Sequence, residues 1–103
     1  MVKWTSDNGE VYYCYTTSRN EKIYYSDPEG TVLHRPDGPA LILESGSSFW
    51  YKNNELHRLD GPAKEYRNFT RRITAKGWYV NGKRINCNNQ KEFKKLMKLK
   101  AFW

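Results

Sequence analysis

The sequence of 103 residues has little cysteine and no long apolar run. Its two cysteines, Cys14 and Cys87, lie 73 positions apart, a spacing that fits neither a disulfide framework nor a zinc site. No stretch approaches the roughly 18 apolar residues of a membrane helix. The first residues, MVKWTSDNG, lack the apolar core of a signal peptide. We therefore expect reduced thiols, a cytoplasmic location, no membrane, no metal and no cofactor.

Hydrophobic residues are also few, since they make up 38% of the chain and the mean hydropathy is −0.95. Aromatic residues, in contrast, reach 16%, with 4 Trp, 8 Tyr and 4 Phe. Because aromatic side chains bury much area and favour strands, this composition indicates an ordered β protein rather than a disordered chain. The length predicts a single domain over residues 1–103. A small core with open sheet edges predicts a homo-oligomer.

Acidic residues are nearly missing from the last third of the chain. Residues 67–103 hold eleven Lys and Arg against Glu92 alone, a net charge of +10. Residues 1–66 hold seven Lys and Arg against ten Asp and Glu, a net charge of −3. So basic a segment predicts an anionic partner, such as a nucleotide, a nucleic acid or an acidic protein face. A solvated basic surface is the alternative.

One short segment occurs twice. Residues 33–40 read LHRPDGPA and residues 56–63 read LHRLDGPA, so seven of eight positions match at a spacing of 23 residues. In each copy the proline restricts the preceding glycine to an extended conformation. Two equivalent binding sites and two equivalent corners of a sheet both fit this repetition.

Turn signals divide the chain into short strands. Asn53-Asn54 and Asn81-Gly82 separate runs rich in Tyr, Trp, Ile and Val, and Asn-Gly favours a two-residue hairpin turn. We expect a mainly β fold, an antiparallel meander of about three stacked β-hairpin repeats with a C-terminal amphipathic helix as cap. The predicted parts are a degenerate hairpin unit over 1–32, two hairpin repeats over 33–87, the second of them elongated at 67–76, and a helix over 88–103.

The C-terminal segment has the period of an amphipathic helix. Asn89 is a suitable N-cap, and Glu92 three positions later resembles the second member of a capping box. We expect the helix to cover the last hairpin, and binding to a membrane surface is the alternative. Its apolar face holds Phe93, Leu96, Met97, Leu99, Ala101 and Trp103, and its opposite face holds Lys94, Lys95 and Lys98.

The pattern LHRxDGPA, a strand and then WYxNG resembles a family of short repeats in bacteriophage and bacterial proteins, which look like relatives of MORN-type β-hairpin repeats. The matching segments are residues 33–40, Trp50-Tyr51, residues 56–63 and residues 78–83, and the resemblance extends over 24–103. It implies stacked hairpins, a phage protein acting in the cytoplasm of a bacterial host cell, and a binding scaffold. The chain departs from the pattern at Asn53-Asn54, in its long second hairpin and in its N-terminal portion.

The repeated His, Arg and Asp have a catalytic and a structural interpretation. A His–Asp pair can act as a general base, and two such pairs could bridge a metal. No strained nucleophile, glycine-rich phosphate loop or zinc-ligand spacing accompanies them, so we expect no enzyme activity. Asp and Arg side chains commonly bond turn amides and carbonyls. We therefore assign as structural turn residues His34, Arg35, Asp37 and Asp60.

Aromatic residues beside basic ones favour a binding function. Nucleobases stack on aromatic rings, and guanidinium groups hold phosphates. The alternative is that the rings simply form the core. The predicted ligand-binding residues are Trp50, His57, Arg58, Arg67, Arg71, Arg72, Lys76, Trp78 and Tyr79.

The leading hypothesis is a non-enzymatic protein that captures an anionic nucleotide-type ligand. As a phage anti-defence protein, it would act as a sponge that sequesters a host immune nucleotide signal. One alternative is a protein–protein antagonist that docks its basic C-terminal half on an acidic host protein. Another is nonspecific single-stranded nucleic-acid binding, whose affinity would fall steeply with salt.

Overall fold

The structure, a computed structural model of the protein, describes residues 1–99. It is mainly β, an antiparallel meander with one C-terminal helix, and it confirms the predicted fold class. None of the helical residues within 1–99 forms a segment that is both long and apolar enough to cross a membrane. Ala101 and Trp103, assigned above to the apolar helix face, lie outside the described residues.

Seven strands form one antiparallel sheet in the order β1-β2-β3-β4-β5-β8-β9, and two short ribbons, β6-β7 and β10-β11, lie beside it. Each ribbon continues one of the predicted hairpin repeats, because β6 follows β5 and β10 follows β9 after a single residue. The strands are β1 Val2–Thr5, β2 Val11–Thr16, β3 Lys22–Tyr25, β4 Leu41–Ile42, β5 Ser48–Phe49, β6 Tyr51–Lys52, β7 Glu55–Leu56, β8 Lys64–Arg67, β9 Ile73–Gly77, β10 Tyr79–Val80 and β11 Lys83–Arg84.

The two ribbons turn at the predicted dipeptides. Asn53 and Asn54 have φ of 50° and 68°, and Asn81 and Gly82 have φ of 50° and 80°. Two consecutive residues with positive φ make the turn whose twist matches that of the paired strands. Asparagine tolerates this region far better than most residues, so the missing glycine at Asn53-Asn54 leaves the hairpin intact.

The N-terminal portion contains more than the single degenerate unit predicted over 1–32. β1 and β2 form a hairpin of their own, and β2 also pairs with β3. The predicted degenerate unit begins only at β3, where Tyr25 bridges to Leu33 across the turn at 27–30. The first hairpin therefore extends the sheet by two strands and places the turn before Glu10 next to the first repeated corner.

The helix α1, Gln90–Lys98, covers the last ribbon. Phe93 is fully buried and packs with Trp78, Val80 and Ile85, while Leu96 and Met97 lie against the same cluster. The Asn89 side chain accepts a hydrogen bond from the backbone N–H of Glu92, as the sequence predicted. The helix is thus a cap on the repeat stack, and its exposed lysines face away from the core.

Candidate binding groove at the repeated corners

The second repeated corner is built around Arg58. Its Nε donates to Asp60 Oδ1 at 2.8 Å, and its Nη1 donates to the carbonyl of Pro62 at 3.2 Å. The guanidinium carbon lies 3.9 Å from the centroid of the Trp50 ring, a cation–π contact. A Cβ at Gly61 would stand 2.8 Å from that carbon, so this position needs glycine for close approach.

The first corner repeats this arrangement around Arg35. Nε donates to Asp37 Oδ1 at 3.1 Å, and Nη1 donates to the carbonyl of Pro39 at 3.2 Å. The stacking partner is Tyr24, whose ring centroid lies 4.1 Å from the guanidinium carbon. Both aspartates therefore bond arginine rather than histidine, which leaves neither corner with a His–Asp general base.

Each histidine links its corner to the turn of the next ribbon. His34 Nδ1 accepts from the backbone N–H of Asn53 at 3.2 Å, and His57 Nδ1 accepts from that of Asn81 at 2.9 Å. An Nδ1 that accepts places the proton of the neutral ring on Nε2. Both rings therefore offer an Nε2–H donor on the side away from the turn.

The two Nε2–H donors differ in their partners. His34 Nε2 lies 2.5 Å from Glu10 Oε1, whereas His57 Nε2 has no hydrogen-bond partner within residues 1–99. Burial and the charge of Lys52 lower the pKa of His57, and the weaker influence of Glu55 raises it. The His57 ring is therefore neutral at pH 7 and keeps its donor on Nε2.

One groove joins the two corners. It has a volume of about 370 Å³ and is open to solvent. Three of the predicted ligand-binding residues, Trp50, His57 and Arg58, meet in it together with residues of the first corner. Its lining consists of Asn8, Glu10, His34, Arg35, Pro36, Trp50, Tyr51, Lys52, His57, Arg58, Leu59 and Asp60.

Trp78, predicted as a ligand-binding residue, is buried and does not line the groove. Only 6% of it is exposed, because its ring packs against Phe93 of the helix. Its Nε1 donates to Gln90 Oε1 at 2.9 Å, and Gln90 Nε2 donates to the carbonyl of Asp60 at 3.1 Å. Tyr24, Trp50 and Trp78 occupy equivalent positions in successive units. The first two rings stack on a corner arginine, whereas Trp78 packs on the helix.

Tyr79 lies outside the groove lining as well. It is partly buried, and its backbone carbonyl accepts from the N–H of Arg58 at 3.0 Å. The Lys64 ammonium stands 5.7 Å from the ring centroid. Tyr79 thus supports the second corner through its backbone.

The basic residues of the long hairpin lie apart from the groove. Arg67 is held by Glu65 at 2.8 Å and by the carbonyl of Arg71 at 2.9 Å, and none of the four predicted basic residues lines the groove. Arg71 instead lines a separate pocket of about 440 Å³ together with Arg19 and Lys22. Arg72 and Lys76 are exposed. The predicted ligand-binding residues therefore do not form one site. The turn of the long hairpin lies at the end of strands β8 and β9 that is remote from the groove.

The polar groove residues Asn8, Glu10 and Lys52 are among those that sequence reasoning missed. Lys52 directly follows Trp50-Tyr51, so its place in the repeat was a usable signal. The sequence contained no signal for Asn8 and Glu10. These residues lie in the hairpin before the repeats, and the pairing of the sheet brings them to the groove.

Comparisons with protein-family models, with curated protein sequences and with solved structures gave no match to this chain.

Proposed function

We propose that the protein is a non-enzymatic binding protein that captures an anionic nucleotide-type ligand in the groove between the two corners. The observation that carries the proposal is that Trp50, Arg58 and His57 line one groove. There a guanidinium stacked on Trp50 is combined with an Nε2–H donor that has no protein acceptor within residues 1–99. A ligand that carries both a flat π system and an oxyanion would match these groups.

A nucleobase would lie against the open side of the Trp50–Arg58 stack, because the Gly61 backbone closely approaches the guanidinium and aromatic rings are the platforms on which bases stack. The Arg58 plane is already fixed by Asp60 and by Trp50, so little side-chain entropy is lost when a base adds to the stack. A phosphate would accept from His57 Nε2–H and lie near the ammonium of Lys52, which also lines the groove.

The resemblance to phage and bacterial repeat proteins suggests a setting for this binding. In that setting the protein acts in the cytoplasm of an infected bacterial cell, as a homo-oligomer. There it holds a host immune nucleotide, such as a cyclic oligonucleotide or an ADP-ribose derivative, away from its receptor. Capture without turnover needs no general base. It is therefore consistent with corners whose aspartates bond arginine rather than histidine.

Calorimetry with a panel of cyclic oligonucleotides and ADP-ribose derivatives tests the proposal. We expect at least one to bind at micromolar concentration, and Trp50→Leu to weaken that binding by about tenfold or more, as loss of a stacking platform does. Tyr66→Leu is the matched control, because Tyr66 is a half-exposed ring on β8 outside the groove. No binding of any member of the panel by the folded protein would refute the proposal.

A second candidate function is docking on an acidic host protein. The observation that favours it is a set of exposed basic residues in the C-terminal half, which includes Arg71, Arg72, Lys76, Lys94, Lys95 and Lys98. Under this alternative, Arg71→Glu or Lys95→Glu abolishes retention of a specific bacterial protein in a pull-down, while no nucleotide binds. Affinity for single-stranded DNA that falls steeply with salt would favour nonspecific nucleic-acid binding instead.

A further inference from the structure

The two corners share the hydrogen bonds of their arginine side chains and of their histidine backbones. The backbone N–H of His34 donates to the carbonyl of Tyr24 at 3.1 Å, and that of His57 donates to the carbonyl of Trp50 at 3.0 Å. Both imidazoles accept at Nδ1 from an asparagine N–H of the following turn. The surroundings of the two rings are therefore the same on their Nδ1 side, and both histidines line the shared groove.

At the histidine rings, the partner of Nε2–H differs between the corners. At the first corner a carboxylate oxygen of Glu10 stands 2.5 Å from Nε2. Glu10 is held there by its own turn, because its N–H donates to Ser6 Oγ at 3.1 Å and its carbonyl accepts from Ser6 N–H at 2.8 Å. The chain thus places an oxyanion on His34 from a hairpin that is not part of the repeats.

We infer that the two corners are equivalent oxyanion sites, of which the first is filled by the Glu10 carboxylate and the second, at His57, is open to a ligand. This inference rests on the proposed function for the place of the ligand, and it names the group that binds there: a phosphate or carboxylate oxygen that accepts from His57 Nε2–H. Glu10 shows the geometry that this oxygen adopts.

Two consequences follow from the inference. The chain binds one oxyanion, at His57, although it has two histidine corners. Removal of Glu10 opens the first corner, so the same chain then binds an oxyanion at His34 as well. Because the two rings line one groove, a ligand with two phosphates could then reach both donors.

Inorganic phosphate is a suitable probe, because it carries the oxyanion without a base to stack. We would follow the ring resonances of both histidines by ¹H–¹⁵N NMR during a phosphate titration of the full chain. In the wild type, the His57 ring signals should shift and saturate while those of His34 stay fixed. In Glu10→Ala, both sets should shift. Glu29→Gln is the matched control, because Glu29 is exposed and lies away from the groove lining.

Glu10→Gln provides a second variant that keeps the shape of the side chain. Its amide oxygen still accepts from His34 Nε2–H but carries no charge, so phosphate should displace it only at higher concentration than in Glu10→Ala. Unmoved His57 signals in the wild type would overturn the inference. So would unmoved His34 signals in a Glu10→Ala protein whose backbone amide spectrum is otherwise native. If Glu10→Ala does not fold, the same outcome with Glu10→Gln overturns it.

The outcome is separable from that of the nucleotide experiment. Phosphate shifts at His57 without binding of any nucleotide would leave the oxyanion site in place and refute only the nucleotide proposal. Binding of a nucleotide with unmoved His57 signals in the phosphate titration would keep the proposed function and overturn the equivalence of the corners.

Discussion

At the scale of single residues, the neutral His57 ring holds two elements together. Its Nδ1 accepts the Asn81 N–H, and protonation of Nδ1 would remove that acceptor. Burial lowers the pKa of His57 in the folded protein below the ordinary value of 6.5. Between those two pKa values the unfolded chain binds the proton more readily, so this contribution to stability is complete above pH 6.5 and declines as the pH falls.

We predict that the urea concentration at the unfolding midpoint is lower at about pH 5.5 than at about pH 7.5, two values on either side of the ordinary histidine pKa. His57→Asn should lose part of this pH dependence, because asparagine has no titrating group. Equilibrium unfolding of both proteins at the two pH values measures the difference. Equal pH dependence in the two proteins would show that His57 does not contribute.

Arg58 illustrates how geometry outweighs charge at a single position. Lysine in its place keeps the charge but loses the planar fork that bonds Asp60 and the Pro62 carbonyl while stacking on Trp50. We predict that Arg58→Lys lowers the free energy of unfolding by about 1–2 kcal/mol. The exposed Arg72 supplies the control, and Arg72→Lys should stay within about 0.5 kcal/mol of wild type. Denaturant unfolding decides between these outcomes.

At the scale of elements, the helix depends on one buried side chain. Its nine residues are too few to be stable alone in water, so its stability comes from packing against the last ribbon. Phe93 supplies that packing through Trp78, Val80 and Ile85. The lysines on its other face contribute charge but little to stability.

We predict that Phe93→Ala destabilises the protein by about 3–5 kcal/mol, as deletion of a buried aromatic ring does. Leu99→Ala is the control, because Leu99 is 54% exposed at the end of the same helix. Circular dichroism and denaturant unfolding would measure both variants. A Phe93→Ala protein as stable as Leu99→Ala would contradict the helix as a cap.

At the scale of the whole molecule, the outer edge of β1 is unprotected. All four of its residues are exposed, and Val2 and Trp4 pair with Cys14 and Tyr12, so they share the face on which those two are buried. Trp4 is nevertheless 50% exposed. An apolar edge strand beside a buried face is a template for pairing with a second copy.

We therefore expect the protein to sediment as a homo-oligomer, with Trp4→Lys shifting it to a monomer. A charge on an edge strand disfavours pairing, which is the physical reason for the choice. Phe69→Lys serves as the control, because Phe69 is 84% exposed in the loop of the long hairpin and not in β1. Sedimentation of the wild type as a monomer would refute the expectation.

Much of the architecture could be predicted from the sequence, because it rests on local chemistry. Asn81-Gly82 specifies its turn through positive φ, and Asn89 specifies the helix start through its side chain. The repeated segment showed that two corners would be alike. These features depend on residues a few positions apart, so a linear pattern contains them.

The ligand-binding residues were harder to predict, because a site depends on residues far apart in the chain. Trp78 matches Trp50 in sequence, yet the helix buries it. The arginines of the long hairpin were grouped with the corners by charge, yet the strands carry them to another end of the sheet.

The turns, the strands, the helix and the doubled corner follow from the conformational preferences and hydrophobic period of neighbouring residues, so they can be read from the sequence. The shared groove, and the difference between the corners within it, arise from the folded arrangement of the chain. Strand pairing sets Glu10 against His34, 24 positions away, and leaves His57 open. Two nearly identical motifs therefore acquire different chemistry, because hydrogen bonding depends on distance in space and not on position along the chain.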